Sequence, residues 1–291
     1  IGHQNPDLVK PALGPKEPWA YRNKMQMPVG GARGDIQMGF YAMGSHDIVQ
    51  GTNCPIQDDG NNRIAKICYD IAKDLDVEPY DEHTGKGVLR HVIGRIGQSG
   101  WMVILVTATE HLPHQEEWVE RITNRIPQVE TIVHNVNGKR TNVILGPTNH
   151  VIYGDGTITD HIKDLRFNLS PHSFFQVNPE QTTVLYDQAL AYADLKGDET
   201  VIDAYCGTGT ISLFLAHKAK HVIGIEIVEP AIINARENAR NNGYDNTEFI
   251  VADAAVEMPK LYKAGVRPDV IVFDPIRAGC KEEVLTSAAG M

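Results

Sequence analysis

The string Val201-Ile-Asp-Ala-Tyr-Cys-Gly-Thr-Gly-Thr210 joins a β-branched run, an acid and two closely spaced glycines. Such a string reads as a buried strand that ends in a glycine-rich turn and opens a helix. Glycine lets a backbone approach a ligand closely, and the free N–H groups of a helix start face that ligand. One Gly-x-Gly carries little weight, because many turns contain it. Three carboxylates add to it. Asp203 lies at the strand end just before the turn, Glu226 ends the next run (Val222-Ile-Gly-Ile-Glu226), and Asp253 follows the third (Phe249-Ile-Val-Ala-Asp253). An acid at the second strand end can accept hydrogen bonds from both ribose hydroxyls, and one after the third is placed for an adenine amino group. Each acid alone could be a helix N-cap. Three at successive strand ends fit a nucleoside.

A dinucleotide fingerprint requires G-x-G-x-x-G, and its last position here is Ser212. Asp203 beside the glycine turn suits a ligand with a positively charged sulfonium and an amino-acid tail. The sequence therefore points to S-adenosylmethionine rather than to a dinucleotide. A fourth apolar run ends in Asp274-Pro-Ile-Arg-Ala-Gly-Cys280, where an Asp-Pro pair would aim a carboxylate and a rigid turn over a methyl donor.

These residues need a scaffold, and the chain divides near residue 165. In residues 166–291 a helix over Asn178–Ala193, with Leu185, Ala189 and Tyr192 on one face, precedes alternating strands and helices. These are Thr200–Ala204, Thr210–His217, His221–Ile227, Pro230–Asn242, Thr247–Val251 and Val270–Phe273. Short apolar β-branched strands alternating with helices predict a doubly wound parallel sheet. Residues 1–165 are richer in turn signals: Pro15, Pro18, Gly30-Gly31 and Asp59-Gly60. Helical spacing over Arg63–Asp74 and Glu116–Arg125, a hairpin of Leu89–Ile96 with Trp101–Ala108, and a second hairpin of Thr131–Val136 with Thr141–Leu145 predict an α+β domain on antiparallel strands.

The 42% hydrophobic and 22% charged residues are those of an ordinary globular protein. No run of the ~20 apolar residues that a membrane helix needs is present, and no secretory leader, so a cytoplasmic protein is expected. Cys54, Cys68, Cys206 and Cys280 are scattered without a CxxC pair, which suggests reduced thiols and neither a zinc ribbon nor a disulfide framework. His46 and His172 have no metal-ligand spacing, and no metal site is expected. A net charge of −10 disfavours a polyanionic partner, although a separate basic region could carry such affinity.

Together with Ser170-Pro-His-Ser-Phe-Phe-Gln-Val-Asn178 and Tyr21-Arg-Asn-Lys24, the motifs at Asp203–Thr210 and Asp274–Cys280 resemble the RNA uracil-C5 methyltransferases, and most nearly those acting on 23S rRNA. The resemblance runs from about Pro18 onward. It implies a Rossmann-like S-adenosylmethionine-dependent methyltransferase sheet (166–291) preceded by a central α+β domain (1–165) that contacts RNA or supports the catalytic part. It implies a cofactor pocket lined by Gln176, Tyr205, Thr210, Glu226, Asp253 and Asp274. One of Phe174 and Phe175, at least, is expected to be core packing. The basic-polar cluster Tyr21–Lys24 lies near the RNA path in the family, or is a solvated loop. The implied reaction methylates uridine C5 of 23S rRNA through a covalent adduct between a cysteine and the uracil. A tRNA uracil-C5 methyltransferase and a non-catalytic RNA-binding or assembly module are the alternatives. A monomer is the default expectation.

This chain has Ile276 where the family usually has a second proline, which predicts an altered turn with the Asp274 carboxylate kept. Relative to the family it reads as truncated at both ends, with the last strands of the sheet missing. The nucleophilic cysteine and the general-base glutamate are expected after Met291, so the chain alone is expected to be inactive. Cys54 matches a ligand of the 4Fe–4S cluster of many relatives without the other three cysteines; it is an orphaned ligand of a cluster in the longer parent, or a plain core cysteine.

Overall fold

Strict alternation in the first half builds a sheet with two covered faces. In the computed structural model, which describes Asn5 and residues 9–291, the first half holds β1 (Lys24–Ala32), β2 (Asp35–Tyr41), β3 (Ile48–Gln50), α1 (Asp59–Asp74), β4 (Leu89–Ile96), β5 (Trp101–Thr107), α2 (Gln115–Arg125), β6 (Val129–Val136) and β7 (Thr148–Tyr153). The strands form one seven-stranded sheet in the order β3-β2-β1-β4-β5-β6-β7. Along β5, Val103 and Leu105 turn to a core with Met25, Met27, Ile64 and Trp118. Met102, Ile104 and Val106 turn to another with Phe167, Phe175, Leu213 and Phe249. Each such fully buried side chain contributes about 1.5–3 kcal/mol, so period-two alternation along one strand welds two layers onto the same sheet.

Several expectations for this half need correction. Gly30 and Gly31 lie inside β1; the hairpin turns two residues later, with Ala32 paired to Asp35. Asp59 and Gly60 begin α1, whose N-cap is Asp58, its carboxylate accepting from the Gly60 N–H at 2.7 Å. Residues 141–145 form no strand. The Asn137 side chain donates to the Val143 and Ile144 carbonyls (2.6 and 3.0 Å), and Asn135 donates to Gly146 (2.9 Å). With those carbonyls held by side chains, β6 pairs antiparallel with β7 instead. Nor is the sheet wholly antiparallel: α2 is a crossover that brings β6 parallel to β5.

The second half opens on a two-stranded hairpin, β8 (Ile158–Ile162) and β9 (Leu165–Leu169), which spans the position at which the sequence divides. Then follow α3 (Pro179–Ala193), β10 (Thr200–Ala204), α4 (Thr210–Ala216), β11 (His221–Glu226), α5 (Glu229–Asn241), β12 (Thr247–Val251), α6 (Ala254–Lys263), β13 (Val270–Phe273) and α7 (Glu282–Gly290). The strands are parallel in the order β12-β11-β10-β13, so their carboxyl ends share one edge. Asn178 caps α3, accepting from the Gln181 N–H at 3.0 Å, and Pro179 sits in the first turn, where no N–H is needed. The buried face of α3 is Thr182 and Tyr186; Leu185 and Tyr192, expected to pack, are 59% and 71% exposed. Among the described residues no helix is long and apolar enough to cross a membrane.

Candidate nucleoside-binding site

The loop between β10 and α4 lies at the carboxyl edge of the parallel sheet and is shaped by its neighbour strand. The N–H groups of Tyr205 and Cys206 both donate to the Ile225 carbonyl, at 2.8 and 3.0 Å. This pinches the chain hard enough to hold Tyr205, a non-glycine residue, at φ +77°, an uncommon conformation that the surrounding structure has to impose. Gly209, at φ +79°, ends the loop under Ala235 and Phe249, each of which a Cβ would meet at 3.0–3.1 Å. The loop is also tied to the Ser170–Asn178 segment: Thr208 donates to the Phe174 carbonyl (3.3 Å), and the buried Asn238 amide donates to the Thr208 carbonyl (3.2 Å).

Asp203 is fully buried at the end of β10. One of its carboxylate oxygens accepts from the Ser212 hydroxyl at 2.5 Å, and the other has no partner among the described residues. Burial pushes its carboxyl up to about 6; the Ser212 hydrogen bonds oppose this, while Asp274 and Glu226 add to it by repulsion. An orphaned buried acceptor is costly, so the edge of this sheet carries unspent negative charge, in keeping with a cationic ligand.

Of the residues the sequence proposes, several converge here. Tyr186 on α3 bonds the Thr210 hydroxyl at 3.0 Å. Its phenol is pushed up to about 12 by burial and by Asp203 and Asp274, with the Thr210 hydroxyl and the Gln176 amide acting the other way. Thr210 thus touches this tyrosine directly, and Gln176 and Asp274 act on its phenol. Glu226 ends β11 with its oxygens facing the Gly207 N–H (3.2 Å) and the Val228 N–H (2.9 Å). Asp274 is exposed past the end of β13. Tyr205 lies on the opposite flank, its phenol pushed up to about 12 by desolvation, Cys280 and Asp253. Asp253 is the most committed of the set. It caps α6, accepting from Ala255 N–H at 2.9 Å, and pairs with Lys281 at 2.7 Å, which holds its carboxyl below the usual carboxylate range. Phe175 is buried and Phe174 is 67% exposed, so one of the pair is core.

Tyr186 and Ser212 join the candidate site through Thr210 and Asp203, and the sequence does not single out either as a site residue. The Thr182–Tyr186–Leu190 spacing on α3 is the signal that could have found the first. Ser212, read only as a missing glycine, is the partner that Asp203 requires. Cys68 is buried in the α1 core, its thiol pushed up to about 12, and burial likewise raises that of Cys206; neither is a ready thiolate. Cys54 is held through its backbone by the Asn62 amide. No group of three or more His, Cys, Asp or Glu able to hold a metal occurs among the described residues, so the residues present do not fit an iron–sulfur cluster.

A parallel sheet carrying this loop and acidic edge defines the Rossmann-like fold of the S-adenosylmethionine-dependent methyltransferases, and a model described as a methyltransferase domain matches residues 195–288. Two bacterial proteins bearing only the name of uncharacterised RNA methyltransferases are close in sequence. That of Halalkalibacterium halodurans is 50% identical over 293 residues, covering 100% of this chain and 64% of its own. That of Clostridium acetobutylicum is 47% identical over 285 residues, covering 97% of this chain and 62% of its own. The Pyrococcus abyssi tRNA (uracil-54, C5)-methyltransferase, solved with S-adenosyl-L-homocysteine, superposes with a TM-score of 0.76 at 24% identity, over 94% of this chain and 64% of that one. The chain is thus similar over nearly its whole length to these RNA methyltransferases, and it shares the fold of the uracil-C5 enzyme. It spans under two thirds of the length of the relatives it matches.

Proposed function

We propose that this chain is the S-adenosylmethionine-binding core of an RNA uracil-C5 methyltransferase, with 23S rRNA as the leading substrate and tRNA as the runner-up. The observation that carries the reading is the convergence of Asp203, Glu226 and Asp274 at one sheet edge, with the Ser170–Asn178 segment docked on the same loop through Thr208. When bound, the cofactor supplies an electrophilic methyl group on a positively charged sulfur. Glu226 holds a ribose diol, Asp203 and Asp274 favour the positive charge, Gln176 and Thr210 position the amino-acid tail beside Tyr186, and Tyr205 covers the adenosine. Asp253 takes part once its Lys281 pair opens.

The chemistry of the uracil asks for more. Its C5 becomes nucleophilic after a thiolate adds to C6, and a general base must then remove the C5 proton as the thiolate leaves. By the family resemblance this reading takes the nucleophile and the base from residues after Met291, and expects the chain alone to bind cofactor without turning over. The target base is flipped out of its stack to reach the site, and residues 1–165 form the RNA-facing half. The test is tritium release from RNA transcripts labelled at uracil C5, using the full-length protein and S-adenosylmethionine. Release from rRNA supports the leading substrate, and release from tRNA alone promotes the other. Cofactor binding with no release from either sinks the uracil-C5 assignment and leaves only a cofactor-binding α/β domain.

A further inference from the structure

The start of α7 reaches back to the start of α6. Lys281 is the N-cap position of α7 and makes no cap hydrogen bond with its side chain. Its ammonium instead donates to Asp253 Oδ2 at 2.7 Å, while Asp253 Oδ1 accepts from the Ala255 N–H and caps α6. The one oxygen that α6 does not use is thus taken by Lys281. The packing of the two helices does not depend on this pair. Met258 and Val284, both fully buried, seat α7 on α6, and the Tyr262 ring lies over Gly290, where a Cβ would meet it at 2.9–3.2 Å. A cation is ill-placed at a helix N-terminus, and the first turn of α7 holds Glu282 and Glu283, the second of which also attracts the ammonium. The Lys281 side chain is 64% exposed, and an ion pair so open to water is weak. The residue before it, Cys280, acts on the Tyr205 phenol. Cys280 and Lys281 therefore address the two residues, Tyr205 and Asp253, that the cofactor reading sets against adenosine.

We propose that Lys281 is a built-in competitor for the adenine amino group: in the empty protein its ammonium stands on Asp253 where that group would donate, and a 6-aminopurine nucleoside has to displace it. The proposal rests on the cofactor-binding reading above. Ammonium and exocyclic amine are both N–H donors, so the exchange never leaves the Asp253 carboxylate without a partner as the site loses water, which would be costly. The displaced ammonium turns to solvent on the side of Glu283. A purine that lacks the amino group brings no donor, leaves the ion pair closed and gains nothing from Asp253. The contact thus weakens every amino-bearing ligand by the strength of the pair, about 1.4- to 5-fold for an exposed one, and by more at low salt, where the pair is less screened. S-adenosylmethionine and S-adenosyl-L-homocysteine share the adenosine, so the contact limits retention of the product without favouring it over the donor.

The test measures binding by calorimetry in the native chain, in Lys281→Met, which keeps the length of the side chain, and in Lys281→Arg, which keeps the charge. The probes are S-adenosyl-L-homocysteine, which has no net charge, and its analogue with hydrogen in place of the 6-amino group. Lys281→Met should bind S-adenosyl-L-homocysteine about 1.4- to 5-fold more tightly than the native chain and the analogue no more tightly, with an unchanged melting temperature. Lys281→Arg should bind both as the native chain does. Raising the salt concentration should bring the native affinity for S-adenosyl-L-homocysteine up toward that of Lys281→Met. In an Asp253→Asn background Lys281→Met should have no effect, because the pair is already gone. Equal affinities of the native chain and Lys281→Met for S-adenosyl-L-homocysteine would overturn the competitor and leave the cofactor site standing. An equal gain for both probes would overturn it too, since the amino group would then play no part. Failure of all the proteins to bind S-adenosyl-L-homocysteine would overturn the cofactor reading and the competitor together, whatever the tritium assay shows about methylation.

Discussion

Replacing Asp203 with asparagine should make the cofactor-free chain more stable at neutral pH and bind cofactor more weakly. The carboxyl is raised from an ordinary 3.8 to about 6 by full burial. At about 1.4 kcal/mol per pH unit, keeping it charged costs the fold roughly 3 kcal/mol. The direction follows from linkage. The folded chain holds this proton more tightly than the unfolded chain, so the contribution is most favourable below 3.8, declines as pH rises to about 6, and is a full penalty above that. Asparagine keeps an acceptor for the Ser212 hydroxyl and removes the charge. Urea unfolding of both proteins at pH 4 and pH 7.5 measures the difference directly. Carboxylates held low, such as Asp81, Glu199 and Asp253, contribute the opposite slope equally to both proteins and cancel. The gap in favour of Asp203→Asn should grow from near zero at pH 4 to about 3 kcal/mol at pH 7.5, while calorimetry shows weaker S-adenosylmethionine binding. A gap that does not change with pH, or a native chain that is the more stable at pH 7.5, would refute the reasoning.

Ser212→Ala removes the hydroxyl that donates to the Asp203 carboxylate and should cost about 1–3 kcal/mol at pH 7.5 and less at pH 4, where the carboxyl is neutral; equal losses at both would show that the hydroxyl serves packing alone. Glu226→Ala should weaken S-adenosylmethionine binding by about 1.5–3 kcal/mol, the range for hydrogen bonds to a charged group, and unchanged affinity by calorimetry would remove Glu226 from the site. Asp274→Asn lies at an exposed position, so stability should stay within about 0.5 kcal/mol while cofactor affinity falls; a collapsed thermal melt would assign Asp274 to the fold instead.

On the proposed reading, the stability of Asp203 is set against its use. A buried acid with one free oxygen is a poor choice for a core and a good one for a cationic ligand, and sites of this kind commonly forfeit stability for function.

Local chemistry made much of this molecule legible in the residues alone. Strands β10 to β13 and the helices between β10 and β12 could be read because short β-branched runs and 3.6-residue spacing differ in period, and because Asn178-Pro179 marks a helix start. The strand-end acids could be located for the same reason: in a parallel sheet every carboxyl end falls on one edge. What the sequence alone could not decide depends on partners far away in the chain. Residues 141–145 have strand-like composition, yet Asn135 and Asn137 claim the carbonyls around them. Leu185 and Tyr192 fit a helical face, yet α3 turns Tyr186 inward because Thr210 and Phe214 lie there. Asp253 is read as a ligand residue from position, and only the packed fold brings Lys281 against it. Likewise Lys24 and Arg95 are 71 positions apart in sequence, and the register of β1 on β4 alone makes them neighbours. Periodicity and caps are local and survive in one dimension; hydrogen-bond partners and charge neighbours are set by tertiary contacts, whose identity no local pattern encodes.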